Sequence, residues 1–285
     1  MIEREIIINK VADALVKAGS VFSSDKFEAY NKAIDNEESE LSKWSMTCIK
    51  ENAETAEQRK SPLCDDTGIP HLILEVGKNR AVSGELLDAI YAGVSQGLKK
   101  LPGRPMAIKG DDWKRVDQSL GLYEESEAVL PAPLQLKYVE DENRLSLTVL
   151  MQGGGPEIRA KTYRVFHRHS KETVLDEIVS WADEVVGQLG CTPCTIAVGI
   201  GRSHYEASAL MLQAMADGNY SIQSKEEKYI TEQVNKTGVG SLGLKGKCSV
   251  LGTFIKVGPQ RASGVRIVCM RPCCCFEPRK YTVNL

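Results

Sequence analysis

No apolar run in this chain approaches the roughly 20 residues that would span a bilayer, so no membrane-embedded segment is expected. An excess of one charge is also missing. With 36 basic and 38 acidic side chains the formal net charge is −2, which leaves no long-range field to draw the chain to nucleic acid or an anionic surface. The opening residues MIEREIIINKV lack the apolar core and small-residue cleavage site of a signal peptide, and a cytoplasmic location is expected. No internal repeat and no low-complexity linker interrupts the sequence. Histidine is scarce: His71, His167, His169 and His204 are the only four, and their spacing is not that of metal ligands. His167-Arg168-His169 alternates as an exposed, solvated strand would.

What the chain does have is cysteine. Nine cysteines in 285 residues, odd in number and unevenly spaced, are not a disulfide framework in a reducing compartment. They are buried thiols, metal ligands, or both. A composition of 42% hydrophobic and 26% charged residues is that of an ordinary globular protein, long enough for one large unit or two lobes.

Apolar spacing predicts a helix over 3–19, with Ile6, Ile7, Val11, Leu15 and Val16 on one stripe and Gly19 as its C-cap. Ser24 to Arg59 contains no glycine or proline and reads as one or two further helices, so residues 1–60 form a helical N-terminal region. HLILEVG then reads as a buried strand and Gly84 to Lys100 as an amphipathic helix. The runs LQLKYV and RLSLTVLM, Leu134 to Met151, alternate around the polar stretch EDEN as a β-hairpin does. Further on, 171–189 and Tyr205 to Asp217 read as helices, and TIAVGIG, SVLGTFIKV and VRIVCM as strands. Strands and helices that mix without strict alternation predict a two-lobed α/β unit of α+β character.

Three segments combine cysteine with loop-shaping residues: Cys64-Asp65-Asp66-Thr67-Gly68, Gly190-Cys191-Thr192-Pro193-Cys194, and Cys273-Cys274-Cys275-Phe276-Glu277-Pro278-Arg279-Lys280. Any one such cysteine also makes sense as a small buried hydrophobe, the reading given to Cys48 and Cys248. Three well-separated thiolates suit a four-iron cluster that leaves one iron open as a Lewis acid. The same residues admit a zinc site built on Cys191-x-x-Cys194 and the cysteine triplet, although the usual second C-x2-C pair is absent.

The order of five stretches, PLCDDTG, MQGGGPEIR, CTPCTIAVGIG, GVGSLGLKG and CFEPRK, resembles the α subunit of class I fumarase and L(+)-tartrate dehydratase along nearly all of residues 1–285. That resemblance implies one α-subunit domain that binds a 4Fe–4S cluster through Cys64, Cys191 and Cys275. Cys275 is chosen because Arg279 and Lys280 follow it at the family's spacing, and Cys273 and Cys274 remain alternatives. Cys194 falls where the family has a non-ligating residue. Asp66 matches the family's aspartate for proton transfer at the substrate hydroxyl, a role compatible with an Asx-turn ahead of Gly68. Arg104 in LPGRPMAI matches an arginine that binds a substrate carboxylate, a task for which its planar fork is suited; the plainer alternative is a solvated surface arginine. Gly154 and Gly155, in the triplet Gly153 to Gly155, let main-chain amides approach an anionic oxygen, or simply make a tight turn.

Asp65 stands where the family has glutamine, beside the expected substrate, and no histidine follows His204 where the family has His-Thr-His. These departures imply a retained cluster with altered substrate contacts. The expected function is a hydro-lyase acting on a small hydroxy acid, as a homodimer completed by a β subunit that supplies the catalytic base. The rival expectations are a non-catalytic cluster protein and a zinc-stabilised interaction subunit.

Overall fold

The structure, a computed structural model, describes residues 2–285; Met1 of the opening segment lies outside them. In chain order its elements begin with α1 (Ile2–Ser20), α2 (Ser24–Asn36), α3 (Glu40–Arg59), β1 (Ile69–Val76), α4 (Gly84–Lys100), α5 (Asp112–Val116), β2 (Gln135–Tyr138) and β3 (Leu145–Gln152). They continue with α6 (Gly154–Glu157), β4 (Lys161–Phe166), α7 (Lys171–Leu189), β5 (Cys194–Gly201), α8 (His204–Asp217), α9 (Lys225–Asn235), β6 (Val250–Val257), β7 (Val265–Cys273) and β8 (Arg279–Asn284). The mixed α+β character expected from the sequence is present. The chain divides into two compact units, the first made of Met1–Val21, Ala53–Gly153 and Arg279–Leu285, the second of Phe22–Asn52 and Gly154–Pro278.

In the first unit the sheet order is β2-β1-β3-β8, with α1 and α4 supplying Val11, Leu15, Ile90, Val94 and Leu98 to a core shared with Leu72, Leu74, Leu147 and Val149. The expected hairpin is not formed. β1 lies between β2 and β3, parallel to the first and antiparallel to the second over eight residues. Glu75 explains the arrangement. From the middle strand its carboxylate accepts hydrogen bonds from Lys137 on one side and from Arg144 and Ser146 on the other, which holds it below the usual carboxylate range although burial alone would raise it. The EDEN stretch bonds instead to the residues after β1, Gly77 and Asn79 donating to the carbonyls of Arg144 and Glu142. Gly19 is not a C-cap, since α1 runs on to Ser20; a side chain there would collide with Leu101.

The second unit has the order β4-β7-β5-β6, and all eight residues of β5 are buried. Helices cover both of its faces, so the strand is apolar throughout rather than alternating. Ile196, Val198 and Ile200 pack with α7 and α9 through Ile178, Val185, Ile230 and Val234. On the other face Gly199 admits α8, for a Cβ there would lie 2.0 Å from the carbonyl oxygen of Ala207. His167 to His169 is a turn and not a strand: β4 stops at Phe166, Arg168 and His169 have φ of 48° and 57°, and the His167 ring is buried 2.7 Å from the Ser263 carbonyl oxygen. Two left-handed residues are the shortest route from β4 into α7.

Candidate metal and substrate site

In the first unit Cys64 lies half-buried on the loop between α3 and β1. Neighbouring Leu63 anchors that loop: its side chain is buried and its amide donates to the Gly19 carbonyl at 2.9 Å. Arg279 at the start of β8 clamps the other end. Its buried guanidinium donates to the carbonyls of Asp66 at 2.7 Å, Thr67 at 3.0 Å and Met151 at 3.1 Å. Gly68 is demanded twice, by a φ of +93° and by contact: a Cβ would sit 2.7 Å from Arg279 Nη2 and 2.9 Å from the Gln152 carbonyl. The Asp66 carboxylate lies against the main chain of Gly153, where a Cβ would come within 2.8 Å of Oδ2. A carboxyl is thereby directed along the glycine backbone.

Arg104 follows α4, and its amide donates to Thr67 Oγ1 at 3.1 Å. Its Nη1 is 2.8 Å from Asp65 Oδ2, with both side chains largely exposed. Asp65 thus takes up one edge of the guanidinium.

The second unit carries the other cysteines. Cys191 is exposed and Cys275 buried, and the Cys275 amide donates to the Cys191 carbonyl at 2.9 Å. Their thiols share a hydrogen bond, which is the main cause that pulls Cys191 down to about 6; burial opposes it and the charge of Arg159 adds to it. The same bond, a second one with Cys274 and burial push Cys275 well up. Within the pair negative charge is favoured on Cys191 over Cys275. A thiolate is the form that binds metal. Cys273, at the end of β7, is pushed up to about 12, chiefly by burial, and takes a contact from Arg271 Nη1 at 3.5 Å. Cys194 is fully buried in the core.

Gly154 opens the single turn of α6, and both it and Gly155 are exposed. The Gly155 carbonyl accepts from Arg159 Nη1 at 3.0 Å, while the Arg159 Nε is buried with no hydrogen-bond partner. Sequence reasoning did not single out Arg159, and its one signal was a cation two residues beyond the motif's glutamate. It also passed over Arg271 and Glu277, a fully buried ion pair in which Arg271 further holds Glu157 at 3.0 Å. An arginine directly after the apolar run Ile267–Met270 of β7 was the available sign.

Among the described residues no three His, Cys, Asp or Glu side chains are grouped closely enough to hold a metal ion. Cys191 and Cys275 meet within the second unit, and Cys64 belongs to the first. The donor chemistry fits an iron–sulfur group in one respect: a loop cysteine stands beside a second thiol, and sulfur is the donor such groups take.

Comparison with known proteins bears on the whole chain. A family model described as fumarate hydratase (Fumerase) matches residues 8–284. A protein of Methanocaldococcus jannaschii, provisionally named L(+)-tartrate dehydratase subunit alpha, is 28% identical over 292 residues, covering 95% of this chain and 96% of that protein. The L(+)-tartrate dehydratase subunit alpha of Escherichia coli K12 is 23% identical, covering 93% and 88%. A protein of Geobacillus stearothermophilus, provisionally named fumarate hydratase class I, is 27% identical over 75% of this chain but only 42% of its own length.

Proposed function

Because the chain belongs to the fumarate hydratase (Fumerase) family, we propose that it is the α subunit of an iron–sulfur hydro-lyase that acts on a small hydroxy acid of the malate–fumarate or tartrate kind. The observation that carries this reading is the meeting of Cys191, on an exposed loop, with the buried Cys275, whose amide donates to the Cys191 carbonyl at 2.9 Å. Cys64, Cys191 and Cys275 would hold the 4Fe–4S cluster. When bound, that cluster supplies a Lewis-acidic iron for the oxygens of the substrate.

The remaining work falls to the chain's own side chains. Asp66, fixed through its carbonyl by Arg279 and set against Gly153, moves the proton at the departing or arriving hydroxyl. Arg104 binds a substrate carboxylate once Asp65 yields its place, and the main chain of Gly154 and Gly155 receives an anionic oxygen. Arg159, with an unused Nε, adds positive charge near Cys191. A β subunit would supply the catalytic base and exclude water from the site, and the names of the relatives support such a partner. Homodimerisation is supported by edge strand β2, on which Leu136 and Tyr138 are exposed. A cytoplasmic setting agrees with nine cysteines that are odd in number and unevenly spaced.

The test is anaerobic reconstitution with iron and sulfide together with the β subunit, followed by assay on fumarate and L-tartrate. A brown protein is expected whose turnover is lost in air and regained with iron and a thiol. Asp66→Asn should lower kcat by about 100-fold or more. A colourless protein that retains zinc, or turnover indifferent to aeration, would overturn the reading.

A further inference from the structure

Among the described residues the four bulkiest side chains closed off from solvent are Arg271, Arg279, Tyr30 and Lys26. Burying so much polar chemistry is unfavourable unless each group finds partners. Arg271 finds Glu277 and Glu157, and Arg279 finds two carbonyls of the Cys64 loop and that of Met151 in β3. Lys26 differs. Its ammonium donates to the carbonyl oxygen of Glu277 at 2.9 Å and lies 4.3 Å from the centre of the Phe22 ring, yet among the described residues no carboxylate pairs with it. Burial pulls it down to about 8, and the neighbouring Cys274, Cys275 and Cys273 and the Glu277 carboxylate oppose that.

One turn further along α2, the Tyr30 hydroxyl donates to the carbonyl oxygen of Cys275 at 2.8 Å. Residues four apart share a helix face, so α2 presents two donors to the alternate carbonyls 275 and 277. With the Cys275 amide held by the Cys191 carbonyl, both main-chain polar groups of Cys275 are fixed. The arrangement sets a buried cation and a phenol hydroxyl on the main chain of the segment that carries Cys275.

Resting on the reading of Cys191 and Cys275 as cluster ligands, we propose that Lys26 and Tyr30 are positioning residues of the iron centre. Tyr30 fixes the main chain of Cys275, and Lys26 provides the buried positive charge that offsets the ligand thiolates. Its burial costs free energy that the thiolates of a loaded centre would offset. Removing the charge should therefore relieve the metal-free fold and weaken the loaded one.

The experiment compares the wild-type chain with Lys26→Met, Lys26→Arg and Tyr30→Phe, each supplied anaerobically with ferrous iron and sulfide. The readouts are iron per chain, the rate of iron loss to a chelator, the electron paramagnetic resonance spectrum after brief oxidation, and the thermal midpoint without metal. Lys26→Met is expected to melt at or above the wild-type midpoint yet release iron about 10-fold faster, and Lys26→Arg to recover most of the retention. Tyr30→Phe removes one oxygen and leaves the ring stacked on Phe22, 5.7 Å between centres; its resonance spectrum should shift while its midpoint changes little. Should Lys26→Met fail to fold, Tyr30→Phe carries the test alone. Iron retention and spectra like wild type in the variants that fold would overturn the proposal. So would parallel loss of midpoint and iron in Lys26→Met without rescue by arginine, which marks a merely structural lysine. A wild-type chain that takes up no iron would instead remove the cluster reading, and this inference with it.

Discussion

Asp65 and Arg104 form an ion pair at 2.8 Å that is largely exposed, a setting in which a pair is worth about 1 kcal/mol at most. Its significance is competition. A substrate carboxylate must displace Asp65 from the guanidinium, and a cost of about 1 kcal/mol corresponds to about fivefold in affinity. Asp65→Gln should therefore lower KM for a dicarboxylate by up to about fivefold, with little change in urea-unfolding stability. Steady-state kinetics on the reconstituted two-subunit enzyme checks this, and a KM that rises would mean that the Asp65 carboxylate itself serves binding. Gly68 is the opposite kind of residue, since no side chain fits both its φ of +93° and the Arg279 guanidinium beside it. Gly68→Ala should cost stability, about 1–3 kcal/mol by urea unfolding, and loosen the Cys64 loop; an alanine variant as stable as wild type would mean that the loop is free to shift.

At the scale of elements, α2 bears Lys26 and Tyr30, and Glu37 caps its C-terminal end. The nearly buried Glu37 carboxylate accepts hydrogen bonds from the amides of Glu38, Ser39, Lys247 and Cys248. Burial alone would raise it, but these four amides hold it below the usual carboxylate range. A depressed carboxyl contributes stability that is fully present above its unfolded value of about 4.3 and is lost as pH falls through the lower folded value. Glu37→Gln should thus cost about 1–3 kcal/mol at neutral pH, and urea unfolding should show the gap closing below about pH 4. A gap that persists in acid would show that charge is not what these amides hold. Elements decided by local pattern were legible in the sequence, and the ends of α4 and α7 fall where the periodicity put them. Pairing was not, because the neighbours of β1 depend on Glu75 meeting residues more than 60 positions away. β4, β8 and α9 were passed over, their alternation being short or broken by charge. The cysteine motifs were visible, but Lys26 was not: a lysine on an amphipathic helix looks solvated until its acceptor, 251 residues distant, is known.

At the scale of the molecule, the reading requires a second chain. The purified, iron-loaded chain alone should bind substrate weakly and turn it over at no more than a small fraction of the rate reached with the β subunit, because an iron centre open to water is not desolvated. Mixing the two purified proteins and following fumarate hydration settles it, and full turnover by this chain alone would end the two-subunit account. The route of the chain has one more consequence. It leaves the first unit after Val21, returns at Ala53, leaves again after Gly153 and comes back only at Arg279. The Cys64 loop is therefore synthesised more than 200 residues before the guanidinium that clamps it and the edge strand that completes its sheet. On the ribosome that loop emerges early and waits for its guanidinium while the larger part of the second unit, Gly154–Pro278, is translated. If Cys64 is a ligand as proposed, iron offered to the nascent chain would meet a loop without its final shape, and maturation of the centre would be timed to the release of a finished polypeptide.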